Sequence, residues 1–165
     1  MKRSCSPILL LGLICCLSPS CDSYFGSHQD TTLYTEIFPA AEAGDLPKVK
    51  ALVDKNPNVV NAKGMGGLSP LHLAVLHDRK DVVSYLLDKS ANVNARSDAG
   101  LTPLHAAAQN GNIVVLGILL DRHAEINAEE SQGWTPLDYA EKWEEPEAAT
   151  FLKDRGARHG TGNRQ

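Results

Sequence analysis

The sequence predicts an all-α repeat solenoid, a stack of helix pairs that share one continuous core. A short phrase recurs with its prolines at Pro70, Pro103 and Pro136, a constant difference of 33 in residue number. An apolar run follows each of the first two phrases, beginning at Val82 and Val115, with the same spacing. A fixed period of about 20 to 50 residues is typical of repeats that bury a core only by stacking on their neighbours.

Each recurrence of the phrase predicts the start of a first helix. Ser69, Thr102 and Thr135 stand where a hydroxyl can accept a hydrogen bond from an unpaired N–H of the first turn. The prolines that follow suit the first helical position, where a missing N–H costs nothing. Leucine and small alanine side chains then supply a buried stripe at helical spacing, namely Leu71, Leu104, Leu137, Ala74, Ala107 and Ala140.

A second helix is predicted in each unit, followed by an extended segment rich in turns. The apolar residues of these second helices recur at i, i+1, i+4 and i+5, which places them on one helical face. They are Val82, Val83, Leu86 and Leu87, and then Val115, Leu116, Leu119 and Leu120. The extended segments are Asn92–Ala95 and Glu125–Ala128.

The period and the phrase, with its T-P-L-H core, resemble the ankyrin-repeat family. The resemblance covers Thr35 to Arg158. It implies helix–turn–helix pairs joined by β-hairpin-like fingers. Together with the spacing of the phrases, it divides this domain into about four repeats, at residues 35–66, 67–99, 100–132 and 133–158.

The resemblance also implies a structural role for the histidine of the phrase. His72 and His105 would bond back to the capping residue and forward to the backbone of the next unit. Asp138 takes this position in the last unit, where we expect no following unit to fasten. We therefore expect neither histidine to be catalytic, because no Ser/His/Asp arrangement accompanies them.

The two ends of the repeat domain depart from the regular pattern. Thr35 falls where a capping residue belongs, but Pro39 comes too late for the usual first-position proline. The first helix therefore begins either near Thr35 or at Pro39. The last unit becomes polar after its phrase, as expected for a terminal repeat with one face in water. Residues 159–165 are predicted to be a disordered tail.

Three residues replace the glycines that usually end the helices of this family. Asp78 stands where the third unit has Gly111, and Ser90 and His123 replace another such glycine, which is present at Gly156. Each replacement at positive φ costs on the order of 1 kcal/mol.

The first twenty residues predict a signal peptide for export. Lys2 and Arg3 precede an apolar run from Ile8 to Leu17, and small residues follow near Cys21. Cleavage before Cys21 would resemble a bacterial lipoprotein, with lipid on that cysteine, although Ser18 stands where leucine is usual. A second, poorer match to the lipoprotein pattern is Leu13–Cys16, and the other alternative is ordinary cleavage with Cys21 unmodified or lost. We expect a linker at residues 21–34 and a periplasmic or membrane-anchored location if the source is bacterial, or secretion otherwise.

Composition narrows the classes of partner. Without the first twenty residues the chain has 14 basic and 20 acidic side chains, a formal charge of −6, which argues against nucleic acid. All four cysteines lie at or before Cys21, so the repeats have no disulfide framework. We expect no metal, because His72 and His77 lack a ligand spacing of the zinc type. We also expect no cofactor, and a monomer.

The family resemblance places partner contacts at the finger tips and at the exposed ends of the first helices, which line a concave face. Tryptophan is enriched at interaction hot spots, and both tryptophans of the chain fall in this set. Acidic side chains on the rim (Asp98, Glu129 and Glu130) are expected to tune association. The predicted partner-binding residues are Met65, Leu68, Leu76, His77, Arg96, Asp98, Leu101, Gln109, Asn110, Glu129, Trp134, Lys142 and Trp143.

The sequence therefore predicts a non-catalytic protein-interaction module that is exported and binds a partner protein through its concave face. Two alternatives share the fold and differ in the partner: a regulator or stabiliser of an envelope enzyme, and a secreted effector that acts on host proteins. An enzyme is disfavoured because no catalytic constellation emerges.

Overall fold

The computed structural model describes residues 28–162. Within this range the chain forms eight α-helices in four successive pairs, and no strand occurs in it. Two short 3₁₀ turns, Pro57–Asn61 and Met65–Gly67, lie between the first two pairs. The pairs are α1 (His28–Ala43) with α2 (Leu46–Lys55), α3 (Pro70–Leu76) with α4 (Lys80–Asp88), α5 (Pro103–Gln109) with α6 (Ile113–Asp121), and α7 (Pro136–Lys142) with α8 (Pro146–Asp154).

The helices begin where capping side chains stand. The Ser69 hydroxyl accepts the backbone N–H of His72 at 3.3 Å, and the Thr135 hydroxyl accepts that of Asp138 at 3.4 Å. The second helices use short polar residues in the same way, because the carboxylate of Asp45 and the amide oxygen of Asn112 cap α2 and α6. These bonds satisfy N–H groups that a helix leaves unpaired in its first turn.

The predicted apolar stripes form one continuous core. The phrase leucines and alanines are buried, and α3 packs against α5, which packs in turn against α7. The second helices cover the same core with Val82, Val83, Leu86 and Leu87, and with Val115, Leu116 and Leu119. Each helix pair therefore completes its core only through its neighbour, as expected for a solenoid.

The first helix begins earlier than either alternative drawn from the sequence. It starts at His28, inside the segment predicted to be a linker, and both Thr35 and Pro39 lie in its interior. Ile37, Ala40 and Ala41 are buried while Pro39 is exposed, so the proline ring faces solvent and the apolar stripe still packs. Packing of an amphipathic face thus outweighs the hydrogen bond that an internal proline removes.

Left-handed backbone ends several helices, as expected from the missing glycines. Asp78, Ser90 and His123 have φ values of 55°, 65° and 65°. Glu144 shares the conformation at 59°, a position that the sequence analysis did not identify. The turn geometry of the repeat is therefore kept where the residue type does not favour it.

The fingers are turns, and a single backbone hydrogen bond links each of the second and third fingers to the next. Backbone bonds also close the loop within a finger, as from Ser97 N–H to the Leu101 carbonyl at 2.9 Å. Between fingers, the Asp98 N–H donates to the Gly66 carbonyl and the Ser131 N–H to the Ala99 carbonyl, each at 2.9 Å. With so few backbone hydrogen bonds between neighbouring fingers, the described residues form no β-ladder.

An asparagine also recurs once per repeat and joins each unit to the next. The amide oxygens of Asn61 and Asn94 accept the backbone N–H groups of Asn92 and Glu125, both at 2.8 Å. Asn127 continues the series by accepting the N–H of Arg158 at 2.7 Å. The amide of Asn61 additionally donates to the Ser90 carbonyl at 3.2 Å.

The chain after α8 occupies the place of a fifth finger. The Gly160 N–H and the His159 Nδ1 lie 2.8 and 2.7 Å from the carboxylate of Asp138, and the Gly162 N–H donates to the Gly133 carbonyl. The predicted disordered tail is therefore wrong for residues 159–162, and residues 163–165 lie outside the described range. Asp138 therefore does hold a following segment. Its two carboxylate oxygens take the role that a single ring nitrogen has in His72 and His105.

Leu104 lies at the centre of this stack and is 1% exposed. Leu104→Ala should lower the free energy of unfolding by about 2–5 kcal/mol, because it leaves a cavity that the packed helices cannot fill. Chemical denaturation monitored by circular dichroism measures the change. Met65→Ala is the control, since that side chain is 94% exposed. An effect of Leu104→Ala no larger than that of the control would contradict the described core.

Candidate protein-binding surface

Two buried histidines fasten the repeats from the interior. The Nδ1 atoms of His72 and His105 lie 2.8 and 2.9 Å from the hydroxyls of Ser69 and Thr102. Their Nε2 atoms lie 3.0 Å from the carbonyl oxygens of the next units, at Leu101 and Trp134. A carbonyl only accepts, so Nε2 carries the proton and Nδ1 accepts from the capping residue. The roles that the resemblance implied for both histidines are thus the ones observed.

Burial also sets the protonation of this row. It lowers the pKa of His72 and of His105, although the carbonyl that each Nε2 faces works in the opposite direction. Burial alone would raise the pKa of Asp138. Hydrogen bonds from the Thr135 and Gly160 backbone, from His159 and from the Thr135 hydroxyl outweigh burial and hold that pKa at about 2. Near neutral pH, His72 and His105 are therefore neutral and Asp138 is ionised.

The predicted partner-binding residues fall into rows, because residues 33 apart occupy equivalent places. One row consists of His77, Asn110 and Trp143, each directly after the last residue of a first helix and each exposed. A second row consists of Leu76, Gln109 and Lys142, one residue earlier. The finger tips contribute Met65 with Asp98, Arg96 with Glu129, and the row of Leu68, Leu101 and Trp134.

Several of these residues hold the stack together. The Asn110 amide donates to the Leu76 carbonyl at 2.7 Å, and the Arg96 guanidinium donates to the Glu129 carbonyl. The Glu129 carboxylate accepts the N–H and the hydroxyl of Thr161, both at 3.0 Å. Their polar groups therefore already have partners within the chain.

The structure contradicts two expectations about the binding face: that Glu130 lies on its rim, and that leucines form a broad exposed patch. Glu130 is buried, and its carboxylate accepts the backbone N–H groups of Gln132 and Trp134, so it shapes the finger and does not lie on the rim. Leu68, Leu76 and Leu101 are half-buried between neighbouring units. The apolar patch expected across the concave face is consequently smaller than predicted.

The two tryptophans differ in their surroundings. Trp134 is half-buried, with the Lys142 ammonium 4.4 Å from its ring centre and the Tyr139 ring meeting it edge-on at 6.4 Å. Gly162 also packs against the indole, since a Cβ on that glycine would lie 2.4 Å from its Cδ1. Trp143, in contrast, is 51% exposed. Among the predicted residues, Trp143 and Met65 are the large apolar side chains that water reaches most freely.

The sequence analysis missed a second exposed apolar site. Ile113 and Val114, at the start of α6, are 38% and 56% exposed. The sequence does indicate this site. The segment Ile113–Leu120 is apolar throughout, whereas α2, α4 and α8 alternate polar and apolar residues.

Other predicted sites remain untested by these contacts. Cys21 and the signal peptide at residues 1–20 lie outside the described residues. From residue 28 to 162, no cluster of three or more histidine, cysteine or carboxylate side chains is suited to hold a metal ion. None of the helices in that part of the chain is both long and apolar enough to span a bilayer.

Comparison with known families agrees with the four helix pairs. A family model described as ankyrin repeats (3 copies) matches residues 13–97, 37–130 and 94–163. The chain belongs to the ankyrin-repeat family. The all-α repeat fold is thereby confirmed. Ankyrin repeats generally mediate protein–protein interaction and generally have no catalytic role, so the partners of this chain are expected to be proteins.

A short stretch of this chain is similar to part of a much longer protein. Alpha-latrocrustotoxin-Lt1a from Latrodectus tredecimguttatus is 40% identical to this chain over 57 residues. The matched segment is 34% of this chain and 4% of the toxin. This chain therefore corresponds to a small part of that relative.

The neutral histidines predict a dependence of stability on pH. Unfolded histidine takes up a proton near pH 6.5, whereas His72 and His105 do so only at lower pH, so the free energy of unfolding should fall as the pH falls below about 6.5. Each histidine contributes at most about 1.4 kcal/mol per pH unit. Asp138 adds a further loss between about pH 3.8 and 2, as its carboxylate is protonated.

Urea denaturation between pH 7.5 and 5 measures this slope in the wild type and in His105→Asn. The variant lowers the stability at every pH, but it should also flatten the slope, since one of the two titrating groups is gone. His123→Asn is the matched control, because that histidine is exposed. An unchanged slope in His105→Asn would show that the residue titrates normally in the folded chain.

Because residues 159–162 cover part of Trp134, removing them should change the environment of its indole. In a Trp143→Phe background, a chain that ends at Arg158 should show red-shifted tryptophan emission, because Gly162 no longer covers the indole. Thr161→Ala in the full chain is the milder companion variant, since it removes only the hydroxyl bond to Glu129. Identical emission from the shortened and full chains would mean that the segment does not pack as described.

Proposed function

We propose that this chain is a non-catalytic binding protein that holds a partner protein on the concave face formed by its fingers and first-helix ends. The observation that supports this most strongly is Trp143. It is 51% exposed on the row that also carries His77 and Asn110. A large side chain with few rotamers gains much contact area on binding at a small entropic cost.

Trp143 is a better anchor than Trp134 because less of the chain already covers it. Trp134 contacts Lys142, Tyr139 and Gly162, so a partner gains little new contact area there. Met65, on the finger of the second repeat, is the other exposed large apolar side chain among the predicted residues of this face, at 94%. In this proposal Trp143 supplies most of the affinity and the finger residues supply specificity.

We further propose that the protein works outside the cytoplasm. Lys2, Arg3 and the apolar run from Ile8 to Leu17 support export, and Cys21 supports a lipid anchor. Mass spectrometry of the mature protein from its own cells should find an N-terminus at Cys21 with a mass increase of the size of a diacylglycerol. Cys21→Ser should release the protein from membranes. Cytosolic protein that retains Met1 would refute export.

The binding face is tested by a photo-crosslinking residue at position 77, on the same row as Trp143, which identifies the partner by covalent capture in living cells while Trp143 is kept. Trp143→Ala should then weaken the purified complex by about 1–3 kcal/mol, or roughly five- to 150-fold, with little change in the melting temperature. Trp143→Phe should keep part of the affinity, because the ring still fills the site.

Lys89→Ala, at the exposed end of α4, is the matched control and should leave the affinity unchanged. The proposal fails if the captured partner binds Trp143→Ala as tightly as the wild type. It also fails if Lys89→Ala weakens the complex as much as Trp143→Ala, because binding would then involve the second helices.

A further inference from the structure

The outer face of α6 is apolar where the equivalent surface of its neighbours is charged. Val114 is 56% exposed, and the equivalent positions hold Asp81 on α4 and Glu147 on α8, both exposed. Ile113 is 38% exposed, where α4 has Lys80. More than half of the Val114 surface is open to water, and two adjacent exposed aliphatic side chains suit a contact with another molecule.

This apolar surface continues into a shallow cleft between α6 and α8. The cleft has a volume of about 470 Å³, and its apolar lining comes from Ile113, Pro146 and Phe151. Gly117 of α6 faces Phe151 of α8, since a Cβ there would lie 3.8 Å from the ring, at an ordinary contact distance. Bulky residues on the two helices thus border a groove that an inserted side chain can fill.

Carboxylates stand along the α8 side of the cleft. Glu147 and Asp154 both line it, and both are exposed. Seven residues separate them, which is about 10 Å along a helix. Within residues 28–162 neither carboxylate forms an ion pair, whereas Asp88, which is equivalent to Asp154, pairs with Arg122 at 2.8 Å. The groove therefore combines apolar contact area with two available negative charges at a fixed distance.

We propose that Ile113, Val114, Glu147, Phe151 and Asp154 form a second docking surface, which binds a basic amphipathic helix of a partner protein. Apolar side chains of that helix fill the cleft beside Val114. Lysine or arginine residues seven positions apart on the helix lie about 10 Å apart and match the spacing of Glu147 and Asp154. This surface shares no residue with the concave face, so it is independent of the function proposed above.

The surface is tested with a fluorescent synthetic helix of about 18 residues, or five turns, with leucines on one face and lysines on the other. The full-length protein should bind it at least about tenfold more tightly than a peptide of the same composition with leucines on all faces. It should not bind the analogue in which glutamate replaces lysine. Fluorescence anisotropy gives the affinities.

Variants of the protein then locate the binding. Val114→Ser should weaken the amphipathic peptide about fivefold or more by removing apolar contact, and Glu147→Gln with Asp154→Asn should do the same by removing charge. Asp81→Asn, at the position equivalent to Glu147 on α4, and Trp143→Ala should bind as the wild type does. Thermal melts confirm that these surface variants stay folded.

Three results would overturn the proposal. Equal binding of the two lysine peptides would show attraction by charge alone. If Asp81→Asn weakens the peptide as much as Glu147→Gln combined with Asp154→Asn, the acidic surface acts without this groove. Sedimentation that reveals a dimer which Val114→Ser dissociates would show that a second copy of the chain occupies the surface.

Discussion

The rest of the structure depends on one hydrogen bond that recurs in the two central repeats. A buried ring nitrogen, of His72 or His105, lies 3.0 Å from a carbonyl oxygen of the following finger, while the other nitrogen is held by the capping residue of its own helix. The start of one helix pair and the finger of the next are therefore fixed by a single side chain. Because unpaired polar groups at this depth are costly, the bond also defines the register between repeats.

A solenoid fastened in this way frees its surfaces for recognition. The described repeats are held together by their buried apolar stripes, by the two histidines and by three asparagines, Asn61, Asn94 and Asn127. Exposed positions in the same 33-residue frame can then vary without affecting the fold. His77, Asn110 and Trp143 differ completely in chemistry while occupying one place in the repeat, and so do Asp81, Val114 and Glu147. In the function proposed here, recognition depends on the exposed positions that differ from their equivalents in the other repeats.

Sequence reasoning succeeded where the repeat supplies its own evidence. The capping residues and the leucine stripe follow from a phrase that occurs three times. The left-handed Asp78, Ser90 and His123 follow from the glycines that the family usually has at those positions. It failed where no phrase exists for comparison. Helix α1 begins at His28 and continues through Pro39, where Ile37, Ala40 and Ala41 pack, and packing is not visible in a segment that lacks the motif. The burial of Glu130 and the C-terminal segment on Asp138 arise from contacts between distant parts of the chain, which local patterns do not contain.

The state of the two histidine rings is the most direct test of this account. Nitrogen-15 NMR of His72 and His105 distinguishes the two neutral tautomers from the doubly protonated ring. The account predicts neutral rings protonated at Nε2, and it predicts that this form persists well below the usual histidine pKa of about 6.5. Rings protonated at Nδ1, or rings that become doubly protonated near pH 6.5 while the chain stays folded, would contradict it.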